Sequence, residues 1–175
     1  VYRSAVAGLI LAFLGAVGLL WWGQVAPPGT PPSEIAVAGH RAPSTIAWDV
    51  ESPIIHIQAN AEAESARALG LAHGLRHAWS MVLWRQTARG RLARWLSEPA
   101  MSFDRHARQM GWARAAQRHI AKLPRADRDW LAAYATGVNA AFATDYVRQQ
   151  PPFAALSIRP EPWAPWHTLA VEHLL

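Results

Sequence analysis

The chain has 175 residues, room for one domain, and 51% of them are hydrophobic, which is high for a protein with no apolar tract. Seventeen basic residues against twelve acidic ones give a net charge of +5. All but Lys122 of the basic residues are arginines spread through amphipathic stretches and not bunched in a run, so nucleic acid is excluded as the expected partner. Cysteine is absent, which excludes disulfides and thiol chemistry.

Much of the apolar excess sits at the start. From Ala5 to Trp22 there is no charge, and about 18 residues at 1.5 Å rise come close to a hydrocarbon layer of roughly 30 Å. Trp21 and Trp22 suit the membrane interface. Residues 1–23 are therefore expected to form a transmembrane anchor or signal segment. The run is longer than a signal-peptide core and no small-x-small cleavage site follows it, which favours the anchor. Arg3 precedes the run and the next basic residue is Arg41, an asymmetry that leaves the N-terminus cytoplasmic and exports the rest. Residues 24–34 form a proline-rich linker that cannot continue a helix.

Residues 35–175 read as the folded part. Ile35–Val37, Thr45–Trp48 and Ile54–Gln58 are β-favourable pieces parted by Gly39, Pro43 and Pro53, so two or three short strands are expected. The last is apolar enough to be buried on both faces or nearly so. From Ala61 the composition turns to alanine, leucine and arginine. One helix is expected from about Glu62 to Trp95, bent near Gly70 to Gly74, with Leu71, Leu75, Trp79, Val82 and Leu83 on its apolar face. Ser97, Glu98 and Pro99 look like a capped helix start. A second helix is expected from Asp104 to Lys122, with Met110, Ala113, Ala116 and Ile120 inside. Pro124 opens a third, in which Leu131, Tyr134, Val138 and Phe142 keep helical spacing. Gln149 to Pro165 is proline-rich and irregular, and a last helix begins near Pro165. Strands followed mainly by helices indicate an α+β architecture. The chain lacks an initiator methionine and stops at Leu175 in an apolar run, so it is expected to be a piece of a longer protein.

No residue pattern here amounts to an active site. His73 and His77 share a helix face at a spacing zinc helices use, but Gly74 stands where a hydrolytic site needs glutamate and no third ligand is identifiable. No metal is assigned. Asp104 reads as a carboxylate satisfying helix N–H groups. No glycine-rich phosphate loop and no serine in a G-x-S-x-G setting occurs.

Several ordered blocks carry a resemblance. They are Asp49 to Ile57; His73, Trp79 and Met81; Arg85, Ala88, Gly90, Arg91 and Leu92; Phe103, Asp104 and Arg105 with Gly111; Tyr134, Gly137, Val138, Asn139 and Ala140; and Arg159 to Trp163 with Pro165. In this order they resemble the start of the α-chain of the penicillin acylase (penicillin amidase) family of N-terminal-nucleophile hydrolases. Of these, His73, Trp79, Arg85, Gly90, Arg91, Asp104, Arg105 and Asn139 are expected to be structural. The chain departs from the pattern at Leu75, Arg76 and His77, where the family has Gln-Asp-Arg, and at Val82, where it has glutamate.

The resemblance implies an αββα fold, made as a precursor that cuts itself into α and β chains, with the β-chain as partner. It implies a serine at the new N-terminus as nucleophile, its own amine as base, and a small-molecule amide as substrate, a β-lactam or an N-acyl homoserine lactone both being open. No catalytic residue is expected in this chain. The acyl pocket is expected just past Leu175, with a structural calcium in the full-length protein and no cofactor here. The resulting expectation is the N-terminal segment of an exported amidohydrolase at the bacterial inner membrane facing the periplasm, or in the periplasm if the segment is cleaved. The alternative is a catalytically degenerate, membrane-tethered binding or assembly module of the same fold.

Overall fold

A computed structural model of the chain describes residues 45–48 and 54–175. The apolar segment, the linker, the expected strand Ile35–Val37 and the Asp49 to Pro53 stretch lie outside these residues. Among the described residues no helix is long and apolar enough to cross a membrane.

Strands β1 (Thr45–Trp48) and β2 (Ile55–Gln58) form an antiparallel pair with Ile46 opposite Ile57 and Trp48 opposite Ile55. β2 is not buried on both faces: Ile55 and Ile57 are half-buried, while His56 and Gln58 face out. Two strands covered on one side by helices give alternation, not a doubly covered strand.

The core is a crossing of two helices, α1 (Glu62–Arg76) and, much later in the chain, α6 (Arg125–Phe142). Their contact line is made of Gly70, Gly74 and Gly137 with Ala66, Ala133 and Ala141. A Cβ on Gly137 would lie 1.9 Å from the Arg67 carbonyl oxygen, and one on Gly70 would lie 2.1 Å from that of Tyr134. The backbones therefore touch with no side chain between them, and Leu71, Leu75, Val138 and Phe142 fill the flanks.

The first helix runs unbroken through Gly70 and Gly74. It breaks instead at His77 (φ −124°, ψ 22°), and α2 (Ala78–Ala88) continues in a new direction. The break swings Trp79 against Trp95, stacked at 5.8 Å, and edge-on to Phe153 at 5.5 Å. Of the expected apolar stripe, Leu71, Leu75, Trp79 and Val82 are buried and Leu83 is half-buried. Gln150 donates from Nε2 to the Leu75 carbonyl, satisfying an acceptor that the end of α1 leaves open.

After α2 come α3 (Ala93–Leu96), a 3₁₀ turn (Glu98–Ala100), α4 (Met101–Met110) and α5 (Trp112–Ile120). Ser97 starts the turn but caps nothing through its hydroxyl; it sits at φ 59°. The single helix expected over Asp104 to Lys122 is two, because Gly111 takes φ 74° and ends α4. That break turns Met110 outward, 57% exposed, and leaves Ala107 and Ala116 as the inward residues. Short α7 (Asp145–Arg148) and α8 (Pro151–Ala155) lie within the proline-rich stretch and its approach, and α9 (Pro165–Glu172) packs on α2, α5 and α6. Leu169 and Ala170 of α9, Ala88, Ala116 and Leu131 make a second apolar cluster, against which Leu123 rests.

The α1–α6 contact admits no side-chain atom. Gly137→Val is expected to cost about 3 kcal/mol or more, because the clashing groups are backbone atoms that cannot yield. Chemical denaturation of the full-length protein should show it as a loss of soluble, cooperatively unfolding material, whereas Thr136→Ala, on the neighbouring half-buried position, should stay within about 1 kcal/mol.

Candidate functional site

Residues from four of the ordered blocks, those of Arg85 and Gly90, Asp104, Asn139 and Glu161–Trp163, meet around the C-terminal half of α2. The chain leaves α2 at Gly90 (φ 61°), where a Cβ would meet the Asp104 carbonyl oxygen at 2.6 Å. Asp104 is 3% exposed. One of its carboxylate oxygens accepts the Leu92 N–H at 2.7 Å and the other the Ala93 N–H at 2.9 Å. These are the open donors of α3, so the aspartate caps a helix other than its own. Arg108 donates from Nη1 to the Gly90 carbonyl at 2.6 Å and clamps the turn from the other side. Arg91 and Arg105 are exposed and take no part in this clamp.

The second half is an arginine grip on residues 161–163. Arg85, 1% exposed, donates from Nη1 to the carbonyls of Glu161 (2.9 Å) and Pro162 (3.2 Å), and its guanidinium lies 5.4 Å from the Trp163 ring centre. Arg89 donates to the Glu161 carboxylate at 3.0 Å, and Arg94 approaches the other carboxylate oxygen at 3.5 Å. Burial pulls the Arg85 guanidinium down to about 10; the Glu161 charge opposes this and Arg89 adds to it. The hydrogen bond from Arg89 holds the Glu161 carboxyl below the usual carboxylate range, helped by the charges of Arg89, Arg85 and Arg94 against a smaller cost of burial.

Asn139 completes the grip from α6. Its Oδ1 accepts the Trp163 N–H at 2.6 Å and its Nδ2 donates to the Trp163 carbonyl at 2.9 Å. The amide thus pairs with one residue as a strand backbone would. Trp163 is itself buried and its indole N–H donates to the Thr168 hydroxyl at 3.1 Å. At the start of α9, His167 at the third helical position accepts the N–H of the N-cap residue Ala164 on Nδ1 at 2.8 Å, the half of a capping box that the N3 side chain supplies. Burial, with the charges of Arg85, Arg89 and Arg91 adding to it, pushes this imidazole down to about 3, which keeps Nδ1 free to accept.

His73 and Tyr134 lie apart from this cluster, on the α1–α6 crossing. The Tyr134 hydroxyl is 2.9 Å from His73 Nδ1. Burial raises the phenol to about 12 and lowers the imidazole, with His77 adding to the latter, so both are neutral and share one hydrogen bond. The rings of His73 and His77 are 6.2 Å apart, and among the described residues no three acids or histidines gather to hold a metal. The geometry braces a segment of irregular chain.

The structure therefore brings Arg85, Gly90, Asp104 and Asn139 into one scaffold, puts Trp79 beside it, and leaves Arg91, Arg105 and the His73–Tyr134 pair outside. Sequence reading passed over His167, Arg89 and Gln150. For His167 the signal was present: a polar side chain three residues after an uncapping alanine, with Pro165 at the first helical position.

The penicillin amidase family model matches residues 43–175. The penicillin acylase 2 proenzyme of Pseudomonas sp. (strain SE83) is 36% identical over 137 residues, covering 78% of this chain and 17% of that protein. The chain thus spans about a sixth of that relative's length. A thermostable penicillin G acylase from Alcaligenes faecalis superposes with a TM-score of 0.62 at 22% identity over 74% of this chain and 69% of the other, a likeness of fold.

Removing the Asn139 amide leaves two buried backbone groups of Trp163 unmatched, so Asn139→Leu is expected to cost about 2–4 kcal/mol in urea unfolding of the full-length protein. A cost below about 1 kcal/mol would show that Trp163 finds other partners. For His167, the folded value of about 3 lies below its ordinary 6.5, so between these the unfolded chain binds the extra proton. Its contribution is whole above pH 6.5 and is lost as pH falls toward 3, by at most about 1.4 kcal/mol per pH unit. Unfolding midpoints followed from pH 7 to 4 should fall less steeply in His167→Gln; His73 acts in the same direction and leaves a residual slope.

Proposed function

This chain belongs to the penicillin amidase family, and from that premise we propose that it is the N-terminal, α-chain part of an amidohydrolase that cleaves the amide bond of an N-acylated small molecule. The observation that carries the reading is the family match across residues 43–175, within which residues of four motif blocks meet in one brace. In this reading the fold of the whole protein is αββα and the precursor is cut into two chains. The nucleophile is a serine freed at the start of the β-chain, with its own amine as base; attack on the amide carbonyl gives an acyl-enzyme that water then releases. None of these groups belongs to the 175 residues. Their part is to hold Glu161–Trp163 rigid between α2 and α6, so that the chain beyond α9 leaves in a fixed direction.

The substrate is an N-acylated β-lactam or an N-acyl homoserine lactone. Residues 1–23 anchor the protein in the bacterial inner membrane, with the remainder in the periplasm. A structural calcium belongs to the full-length protein; the described residues gather no ligand set for it, and no step is routed through it.

Expressed at full length, the protein should run as two chains on a denaturing gel, and changing the serine at the junction to alanine should leave it uncut and inactive. Release of free amine from penicillin G or from an N-acyl homoserine lactone identifies the substrate, while the 175-residue piece alone should turn over neither. A complete reading frame with no such serine, or an uncut and inactive full-length product, establishes the degenerate module instead. Cell fractionation tests the anchor: a mature chain lacking Ala5 to Trp22 overturns it.

A further inference from the structure

Arg85 has its full charge withdrawn from water, with two carbonyl oxygens on Nη1 and no carboxylate in contact among the described residues. Carbonyl dipoles offset only part of what a buried guanidinium loses in hydration. Its Nε has no acceptor, and the Oε1 of neighbouring Gln86, 1% exposed, has no donor. Both residues line a cavity of about 250 Å³ between α2, α3 and residues 157–161. The wall has three arginines, Arg85 buried within and Arg94 and Arg159 exposed at the rim. Its one acid, Glu161, is already turned onto Arg89 and Arg94. Val82, one helical turn before Arg85 and fully buried on the same wall, occupies the position from which an acid at i−3 would reach the guanidinium.

We propose that this cavity takes a carboxylate group, gripped at the Nε–Nη2 edge of Arg85 with Arg94 and Arg159 at its mouth. That edge is the one left over when Nη1 serves the carbonyls, and it matches a carboxylate with two parallel N–H donors. Gln86 turned end for end presents N–H in place of its unmatched oxygen, so the neighbouring wall also becomes a donor. Val82 and Trp95 leave apolar room beside the charge for a short carbon chain. A peptide carbonyl or an alcohol would fill the hydrogen bonds but leave the charge uncompensated, which is why an anion is the occupant. The group comes either from an aspartate or glutamate of the protein outside these 175 residues or from a free small acid. The inference stands independently of the amidase reading, since it rests on Arg85 and its cavity alone.

Crystals of the full-length protein grown in chloride, examined before and after soaking in sodium acetate, provide the test. The expected result is a carboxylate with both oxygens at hydrogen-bond distance from the Nε–Nη2 edge of Arg85. If an aspartate or glutamate of the protein is there before soaking, the protein is the source; if acetate arrives after soaking, the source is a free acid. In the second case acetate, and not acetamide at equal ionic strength, should raise the unfolding midpoint saturably by about 2–4 °C. Val82→Glu should then abolish that rise by supplying the acid from within, while Val82→Gln keeps it. Water alone on that edge in both crystals overturns the proposal. So does acetate seen in the crystal without any thermal response, which marks an adventitious additive only.

Discussion

The rest of the structure depends on the backbone-to-backbone contact of α1 with α6. Hydrophobic burial alone would accept many distances between two helices of this composition, but glycine at 70, 74 and 137 allows the carbonyls of one helix to approach the Cα atoms of the other. Once that distance is fixed, dispersion contacts along the whole crossing are made at close range, and Leu75 and Val138 are completely enclosed. The same contact sets the rotation of α6. Asn139, two residues after Gly137, is thereby turned to the side where Trp163 passes.

A second layer of order is built on that crossing from hydrogen bonds between side chains and backbone. Asp104 satisfies the start of α3, Arg108 holds Gly90, Arg85 holds Glu161 and Pro162, Asn139 holds Trp163, and His167 holds Ala164. Each of these side chains answers open backbone groups of helix ends and irregular chain, which is the usual cost of bringing loops against an interior. Blocks far apart in sequence meet because Arg85, Asp104 and Asn139 each supply a partner to backbone contributed by another block.

The electrostatics of this layer are lopsided. Arg85, Arg89 and Arg94 surround a single acid, Glu161, and His167 lies among them as a neutral base. A protonated His167 would lose its accepted hydrogen bond and add a fourth positive charge to a site that already lowers the guanidinium of Arg85. The departures from the family pattern have two different consequences. Leu75 merges with the apolar core and His77 faces solvent at the helix break, so neither disturbs the packing. Val82 is the departure with an electrostatic effect, because it lies one turn from a buried cation.

The sequence by itself determined the two strands near positions 45 and 55, the helices starting after Ala61 and Pro124, the α9 start at Pro165, and the family, because periodicity, proline and ordered motifs are local properties of the chain. It did not reveal that the first long helix breaks at His77 and not at its glycines, nor that Met110 turns outward. Whether a glycine bends a helix or receives a neighbour depends on what lies across from it, and Gly70 meets Tyr134 more than sixty positions away. That Asp104 serves helix N–H groups was legible, but not that the helix is α3, and the role of Asn139 was open until the fold brought Trp163 to it, since a carboxylate or an amide carries no mark of the distant backbone group it will satisfy. Tertiary structure alone decided which polar groups would meet, because burial converts each unmatched donor or acceptor into a cost and only the folded chain shows which groups are buried together.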